Sequence, residues 1–438
     1  MFMNFSLAHL SDTHIGYQAY KVLSNSGENQ RSVDFARAFV LNIDSIIEQD
    51  PPLVIHSGDV ADKTIIPIRL MLFIRNEFKR LAGMRANGTR RQVIIVAGNH
   101  ELPRDRKEAS LLELLKDIPG VHVSTTKYDK FTFDDFLDAD PVLSGTVVHA
   151  LPHDILKSVD FNHVKPIDGM RNILSSHGVA GGSDLFTRSL GREFPIPADV
   201  LLRKWDYVAL GHWHKQGPVS LYGSISKIDK AQSNVLPVSR IWYAGSTENS
   251  GFGDVLDGGE NRGWLKVSFD GDVFDVKPVN VQVRKMFRLP TVDGTGLKPD
   301  EIKDLLIANL KSKDISGGVI GQIVTGVDRE VWSLVDLASV RNHASNALHY
   351  DVACKSSKIF NRESILYNGG GSNLIKIIDD ACSELLTDIN EKNDVFELIK
   401  STLNSSGSLP INDDEKRLNS NDLTYEVGMV TKYAKEVV

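Results

Sequence analysis

The chain has 438 residues, of which 41% are hydrophobic and 24% are charged, and this composition predicts a globular protein of about two to three domains. Its formal net charge of -7 argues against binding nucleic acid by overall charge, so a polyanionic partner would need a local group of cations. The 2 cysteines are too few for a disulfide framework, and no apolar run reaches the ~18 to 20 residues of a membrane helix. We therefore expect a protein of the cytoplasm or nucleoid, possessing no membrane segment.

About the first 275 residues alternate strand patterns with helix patterns, which predicts an α/β protein with helices packed on sheets. Short apolar runs predict strands at Phe5–Leu10, Leu53–His56, Val93–Val96, Thr146–Leu151, Asn172–Ser175, Tyr207–Leu210, Ile241–Ala244 and Trp264–Phe269. Apolar residues spaced by three and four predict helices at Arg31–Gln49, Ile65–Leu81 and Lys107–Lys116.

A second, small α/β unit is predicted at residues 281–360. It comprises a helix at Leu297–Leu310, strands at Val319–Val324 and Ala347–Val352, and a further helix at Ser333–Ser345. Residues 361–438 have a helical pattern, interrupted at 401–421 by a polar stretch rich in Ser and Asn that predicts a flexible linker. The sequence therefore divides into regions 1–280, 281–360 and 361–438.

Seven side chains of metal-ligand type follow five of the predicted strands. They are Asp12 and His14, Asp59, Asn99, His177, and His212 with His214. Because open α/β sheets bind ligands at the carboxyl ends of their strands, five segments can deliver oxygen and nitrogen ligands to one place. Each histidine alone is more often structural, and an isolated Asp-x-His is weak evidence. Jointly the five clusters predict a site for two cations, which can bind a phosphate ester and activate a water.

The residue types suggest separate roles within this site. Gly58 allows a sharp turn that lets Asp59 project from the sheet edge, and a carboxylate can give one oxygen to two cations. Asn99 offers only a neutral carbonyl oxygen, which leaves the cations acidic enough to activate water. His100 could stabilise developing charge or protonate the leaving oxygen; the alternative is a purely orienting role.

In this order, the motifs resemble those of the calcineurin-like metallophosphoesterase superfamily. Within it, the chain is similar to the SbcD-type DNA double-strand-break repair nucleases, through HLSDTHIGY at 9–17, AGNHE at 97–101, ALGHWH at 209–214 and YAGSTE at 243–248. The resemblance implies a layered β-sandwich core flanked by helices, a small α/β capping domain, and a helical C-terminal region that binds a partner.

Carried over by position, the resemblance implies that one cation is held by Asp12, His14, Asp59 and His214. It implies that a second is held by Asp59, Asn99, His177 and His212, with His100 beside the scissile phosphate. Manganese is the cation expected, and the reaction is phosphodiester hydrolysis. The chain departs from the pattern at Asp62, where some members have a second active-site histidine; we expect Asp62 to orient a ligand histidine. The segment 215–240 reads as an inserted hairpin.

Two basic groups could contact a DNA backbone, or could instead be solvated helix faces. The first comprises Arg75, Lys79, Arg80, Arg85, Arg90 and Arg91, and the second comprises Arg104, Arg106 and Lys107. The second group follows the Asn99 motif directly, so it could reach a phosphate near the cations.

The resemblance also implies partners. Helices after the second and third motifs form a homodimer in the family, and the apolar residues there are Leu70, Phe73, Leu111, Leu114 and Leu115, which could equally cover the sheet. The segment from Leu374 to Leu386 has the spacing of a helix that docks on an SMC-like ABC ATPase of the SbcC type, or of a core helix.

The function expected from these features is a metal-dependent DNA nuclease with exonuclease and single-strand endonuclease activity, acting in repair or recombination. The alternative is a phosphoesterase of nucleotides or phosphoproteins on the same scaffold.

Overall fold

The computed structural model describes residues 3–102, 110–136, 138–183, 194–219, 221, 240–258, 262–271 and 273–355. Residues 361–438, for which the sequence predicts helix and a linker, lie outside these residues, as do most of the 215–240 segment and Arg104, Arg106 and Lys107. Within the part of the chain that is described, no helix is both long and apolar enough to span a bilayer.

Six strands form the first sheet. They are β1 (Phe5–Leu10), β2 (Leu53–His56), β3 (Gln92–Val96), β4 (Val121–Ser124), β11 (Arg262–Asp270) and β12 (Val273–Val281). Their order is β12-β11-β1-β2-β3-β4; β1 to β4 are parallel, and β11 joins β1 antiparallel. Helices α1 (Gln30–Gln49) and α2 (Ile68–Leu81) cover one face, where Phe39 and Phe78 pack with Val54 and Ile95.

Six further strands form the second sheet. They are β5 (Asp129–Thr132), β6 (Thr146–Leu151), β7 (Arg171–His177), β8 (Tyr207–Gly211), β9 (Gly217–Pro218) and β10 (Ile241–Tyr243). Their order is β5-β6-β7-β8-β10-β9, with β6, β7, β8 and β10 parallel. Apolar residues of both sheets, such as Leu7, Ile94, Val148 and Ile173, form one buried core between them. The predicted layered β-sandwich of an α/β protein is therefore confirmed.

A third sheet follows along the chain. Its strands are β13 (Met286–Arg288), β14 (Val292–Asp293), β15 (Val319–Thr325) and β16 (His349–Lys355), all parallel to β15. Three helices belong to this third sheet: α5 (Pro299–Lys311), α6 (Arg329–Ser333) and α7 (Leu337–His343). Two short helices come before it along the chain, α3 (Ala198–Leu201) and α4 (Phe252–Gly258). Ile302, Leu306, Ile320, Val324 and Val340 form its own core. We call residues 282–355 the third-sheet unit.

Several predicted boundaries differ from the structure for local reasons. Helix α2 begins at Ile68, three residues later than expected, because Pro67 occupies the N-cap with extended backbone. The helix predicted at Ser333–Ser345 is two short helices, the second of which begins where the Asp336 carboxylate caps the N–H of Ser339. In place of the helix predicted at Lys107–Lys116, the described residues contain a 3-10 turn at Leu111–Leu115.

Strand β12 has no counterpart in the sequence prediction. It contains Pro278, which cannot donate a hydrogen bond to a sheet. In the structure β12 is the edge of the first sheet, and Pro278 lies opposite Leu265 of β11. An edge strand tolerates proline because one of its sides has no partner strand.

The residues considered for a dimer interface divide into two classes. Leu111 and Leu115 are buried in the core under the first sheet, which confirms the alternative that such residues cover the sheet. Leu70 and Phe73 pack partly against the same core. Leu114 is 53% exposed, and Ile65, Ile68 and Leu72 are exposed as well.

Candidate metal centre

The carboxyl ends of five strands meet at one edge of the two sandwiched sheets. They bring together all seven predicted ligands: Asp12 and His14 after β1, Asp59 after β2, Asn99 after β3, His177 at the end of β7, and His212 and His214 after β8. The sheets are joined at this edge by a hydrogen bond of 2.8 Å between Nδ1 of His177 and the carbonyl oxygen of Ser57.

Four of these side chains lie around Nε2 of His14. Nε2 of His14 lies 3.1 Å from Nε2 of His214, 3.9 Å from Oδ1 of Asp12 and 3.7 Å from Oδ2 of Asp59. Nε2 of His214 lies 3.8 Å from the same Asp12 oxygen. Asp12, His14 and His214 therefore present two imidazole nitrogens and one carboxylate oxygen to a common position, and Oδ2 of Asp59 lies beside His14.

A second set of donors lies on the other side of Asp59. Oδ2 of Asp59 is 3.3 Å from Nε2 of His177, which is itself 3.0 Å from Oδ1 of Asn99. Nδ1 of His212 is 3.2 Å from the same Asn99 oxygen. The oxygen Oδ2 of Asp59 thus faces both donor sets.

The donor atoms have the chemistry of a divalent cation site. Nδ1 of His214 lies 3.1 Å from both carboxylate oxygens of Asp254, so this nitrogen carries the proton and Nε2 presents a lone pair. That lone pair faces another imidazole nitrogen beside buried carboxylates. Carboxylate and amide oxygens with imidazole nitrogens form a mixed hard and borderline set that first-row divalent metals accept. The residues therefore fit a pair of divalent cations.

The neighbouring His177 favours the ionised form of the Asp59 carboxylate, which both donor sets share. Burial alone would raise the pKa of Asp59, but His177, which faces it, holds that pKa well below its usual range. Burial would likewise lower the pKa of His177, yet the Asp59 charge raises it far above the ordinary histidine value. A cation binding here would replace the proton that this histidine shares with the carboxylate.

Glu101 holds the loops after β2 and β3 together. Its carboxylate is fully buried and accepts hydrogen bonds from the backbone N–H of Asp59 at 3.2 Å, Ala61 at 2.8 Å and Gly98 at 2.9 Å. Burial, aided by the charge of Asp59, raises the pKa of Glu101 to about 8. The sequence analysis assigned it no role, although it directly follows His100 in the AGNHE motif.

Asp254 is a second functional candidate that the sequence analysis missed. Its carboxylate fixes the ring of His214, and Ser250 donates to it from both N and Oγ at 2.7 Å. The hydrogen bonds from His214 and Ser250 hold the pKa of Asp254 well below its usual range despite burial. Only its place in GFGD, shortly after the YAGSTE segment, could have suggested it.

His100 lies beside the donor atoms and outside both sets. Its Nδ1 donates a hydrogen bond of 2.6 Å to the backbone carbonyl of Asp62, and its ring lies edge-on to His14 with centroids 4.7 Å apart. Nε2, the other ring nitrogen, is 3.9 Å from Oδ2 of Asp59, and the side chain is 37% exposed. His100 can therefore reach both solvent and the centre.

Asp62 contributes to this corner in two ways. Its backbone carbonyl orients His100, as above, while its carboxylate oxygen Oδ1 lies 3.8 Å from Nδ1 of His14. That Nδ1 is buried and makes no hydrogen bond. When Nε2 of His14 holds a cation, the Asp62 carboxylate is placed to accept a hydrogen bond from Nδ1–H after a small movement.

The first basic group does not form an open cationic surface. Five of its arginines are paired with carboxylates: Arg75 with Asp117, Arg80 with Asp44 and Glu77, Arg85 with Asp50 and Asp140, Arg90 with Asp138, and Arg91 with Asp50. Arg91 is also buried. These charges are neutralised within the fold, so the first group was a poor candidate for DNA contact.

Comparison with known proteins agrees with this geometry. Residues 5–216 match the calcineurin-like phosphoesterase family. A DNA double-strand break repair protein Mre11 from Methanocaldococcus jannaschii is 27% identical over 302 residues, covering 65% of this chain and 69% of the relative. The Mre11 of Thermoplasma acidophilum is 28% identical over 65% of each chain, and that of Haloferax volcanii is 23% identical over 90% of this chain and 81% of its own.

Among solved structures, a dimetal phosphatase from Danio rerio covers 63% of this chain and 96% of its own, at 10% identity and a TM-score of 0.35, a likeness too weak to support an argument. All seven candidate ligands lie within the matched residues 5–216. Residues 5–216 therefore resemble the calcineurin-like phosphoesterases, and the chain is a metal-dependent phosphodiesterase.

Proposed function

We propose that this chain is a DNA nuclease of the SbcD type that uses two divalent cations to hydrolyse phosphodiester bonds in DNA repair or recombination. The observation that carries the proposal is the convergence of two donor sets on Oδ2 of Asp59, with His100 beside them. Relatives named as DNA double-strand break repair proteins support DNA as the substrate, because they align over 65% to 90% of this chain.

The donor sets suggest how the cations are held. One is assigned to Asp12, His14, Asp59 and His214, and the other to Asp59, Asn99, His177 and His212. Manganese is the proposed metal because it accepts both hard oxygen and borderline nitrogen ligands. When bound, the cations supply the Lewis acidity that polarises a phosphate ester and makes a water molecule acidic.

The protein side chains supply positioning and proton transfer. Glu101 accepts from the backbone N–H of Asp59 and from that of Gly98 on the neighbouring loop. These bonds keep the Asp59 carboxylate between the two donor sets. His100, whose Nδ1–H donates to the Asp62 carbonyl, can give a proton from Nε2 to the oxygen that leaves the phosphorus when both of its ring nitrogens carry a proton. The rigid carbonyl contact sets the direction in which that proton is delivered.

We propose that the side chain of Asp62 positions His14 rather than acting on the substrate. Asp62→Ala should weaken cation binding through His14 by about 10-fold or more, while leaving His100 in place, because the backbone carbonyl remains. Calorimetric titration with Mn2+ measures the first effect. An Asp62→Ala variant with unchanged Mn2+ affinity but lost hydrolysis would instead assign Asp62 to catalysis.

The remaining parts of the proposal concern assembly. We propose that Arg104, Arg106 and Lys107 contact the DNA backbone, that residues 281–360 cap the nuclease domain at 1–280, and that the helical region 361–438 docks on an SMC-like ABC ATPase of the SbcC type. Because the overall net charge of the chain is -7, a small basic group is the natural contact for a DNA phosphate. Co-purification of the full chain with such an ATPase, lost on removing residues 361–438, tests the docking.

A homodimer is supported by the surface of α2. Ile68 and Leu72 lie one turn apart on this helix, and both are more than half exposed, as is Leu114. Pairing two such faces would bury apolar side chains that are otherwise in water. Leu72→Asp should therefore shift the full chain from dimer to monomer in analytical ultracentrifugation, whereas a monomeric wild type would contradict the proposal.

The activity is tested with four substrates in Mn2+: labelled single-stranded DNA, duplex DNA, bis-p-nitrophenyl phosphate and nucleoside monophosphates. His100→Ala should lose about 100-fold or more in DNA cleavage while binding Mn2+ normally. His163→Ala is the matched control, because this histidine lies on the surface with its side chain 80% exposed.

The outcomes separate the nuclease from its alternative. Cleavage of DNA that His100→Ala abolishes supports the proposal. Release of phosphate from monoesters alone would favour a phosphatase of nucleotides or phosphoproteins, and DNA cleavage that survives in His100→Ala would contradict the role given to that histidine.

A further inference from the structure

Helix α4 stands between the metal centre and the third-sheet unit. It is short, from Phe252 to Gly258, and it begins shortly after the YAGSTE segment. Asp254 of this helix contacts the metal centre, and Phe252, two positions earlier, contacts the third-sheet unit.

On the side of the centre, α4 is fastened to His214 through both ring and backbone. Asp254 bonds Nδ1 of His214, as described above. The buried guanidinium of Arg262 donates to the carbonyl of His214 and, at 2.8 Å, to the carbonyl of Asp254. A displacement of α4 would therefore move the imidazole whose Nε2 faces His14.

On the other side, Phe252 is seated against the third-sheet unit. Its ring lies so close to Gly321 of β15 that a Cβ at that glycine would be 2.8 Å from Cζ of the phenyl ring. The guanidinium carbon of Arg288, on β13, lies 4.7 Å from the centroid of the same ring. The ring thus fills a place formed by two strands of the unit.

A buried charge cluster ties the segment preceding α4 to the start of the same unit. Glu248 accepts from Nη2 of Arg31 and from the backbone N–H of Arg284, each at 3.2 Å. Asp34 accepts from both arginines as well, at 2.7 Å from Arg31 and 2.5 Å from Arg284. The segment from Glu248 to Phe252 is therefore attached to residues of the third-sheet unit at both of its ends.

We propose that α4 couples the position of the third-sheet unit to cation binding at His214, with Asp254 as the positioning residue and Phe252 as the contact that moves it. The inference rests on the proposed role of His214 as a metal ligand. Ligand distances in metal sites vary by only about 0.2 Å, so a small displacement of the helix is enough to change affinity. A macromolecule that shifts the unit would then change how tightly one of the two cations is held.

The test is calorimetric titration of Mn2+ into the full chain after removal of metal with EDTA. Asp254→Asn should weaken one of two Mn2+ sites by on the order of 10- to 100-fold. Phe252→Ala should weaken the same site by about fivefold or more. The double variant should bind no more weakly than Asp254→Asn alone, because Phe252 acts through Asp254. Phe136→Ala, which removes a partly exposed phenyl group elsewhere in region 1–280, is the matched control and should change neither Mn2+ site.

A substitution on the other strand provides an independent perturbation. Gly321→Ala places a methyl group against the Phe252 ring and leaves every residue of the centre and of α4 intact. It should weaken the same Mn2+ site, and it replaces Phe252→Ala if that variant unfolds. Thermal unfolding of the metal-free variants shows whether each is folded.

Three results would overturn the inference. Normal Mn2+ affinity in both Phe252→Ala and Gly321→Ala would exclude the coupling, and so would fully additive losses in the double variant. Normal affinity in Asp254→Asn would exclude the positioning role. Because the readout is metal affinity, a chain that shows the coupling but cleaves no DNA contradicts only the proposed nuclease function.

Discussion

Replacing Gly98 with alanine should disable the centre while changing only one methyl group. A Cβ at this position would lie 2.1 Å from Oδ1 of Asp59 and 2.5 Å from its backbone nitrogen, whereas real Cβ contacts essentially never fall below 3.0 Å. The shared carboxylate or its backbone must therefore move by about 0.9 Å. Functional geometry tolerates only about 0.5 Å, and a misplacement near 1 Å costs about 100-fold in rate. Overpacking should also cost about 1 to 3 kcal/mol of stability.

The assay is Mn2+-dependent hydrolysis of bis-p-nitrophenyl phosphate, with urea unfolding of the metal-free protein alongside. Gly217→Ala is the matched control, because that glycine also has an ordinary φ and a Cβ there would meet no atom within 4 Å. Gly98→Ala should lose about 100-fold in rate, and the control should behave as wild type. If Gly98→Ala keeps wild-type activity and Mn2+ affinity, the position of Asp59 does not govern the centre and the reasoning fails.

Three further measurements test other parts of the fold and the centre. Burial lowers the pKa of His149 from 6.5 to about 4, so the folded state resists its protonation and the free energy of unfolding should fall by up to about 3 kcal/mol as pH drops from 6.5 towards 4. Urea titrations of His149→Gln, which cannot titrate, should show a smaller slope with pH, and an unchanged slope would refute this origin. Glu101→Gln turns an amide N–H towards backbone N–H donors and should lower the free energy of unfolding by about 1 to 3 kcal/mol in thermal unfolding. A variant as stable as the wild type would contradict this prediction. Mn2+ at 100 times its Kd should raise the free energy of unfolding by about 2.7 kcal/mol per site, reversibly with EDTA, and no rise would argue against preformed sites.

The convergence of the seven candidate ligands could be anticipated from the sequence because it depends on local patterns and on one rule of topology. Strands such as Leu53–His56 and Gln92–Val96 are short, mainly apolar runs, and a residue of ligand type, Asp59 or Asn99, follows three positions after the end of each. Parallel strands place their carboxyl ends together, so neighbouring strands in a sheet needed no further information. The sequence pattern alone could not show that β7 and β8 lie in a second sheet whose carboxyl edge meets the first.

The groups that orient the ligands could not be anticipated in the same way. Asp254 is 40 positions from His214 along the chain, and its role follows from the direction in which a short helix packs. Glu101 was visible within a motif, but its three backbone contacts exist only once the loops after β2 and β3 come together. Apolar spacing was similarly ambiguous, because Leu111 and Leu114 share one turn while only Leu111 is buried.

Backbone strain explains why so many contacts surround these loops. Asp12, His14, Asp59 and His212 have φ values of 52, 42, 56 and 98°, and among the described residues they are four of the six non-glycine positions with positive φ. Each such conformation costs on the order of 1 to 3 kcal/mol and persists only where surrounding contacts enforce it. Here the N–H of Asp12 donates to the carbonyl of Gly58 at 2.9 Å, that of His14 to the carbonyl of Asp59 at 3.0 Å, and that of His212 to the Asp12 carboxylate. These bonds offset part of that strain within the fold itself, so the loops that carry four of the candidate ligands are held by the protein's own hydrogen bonds.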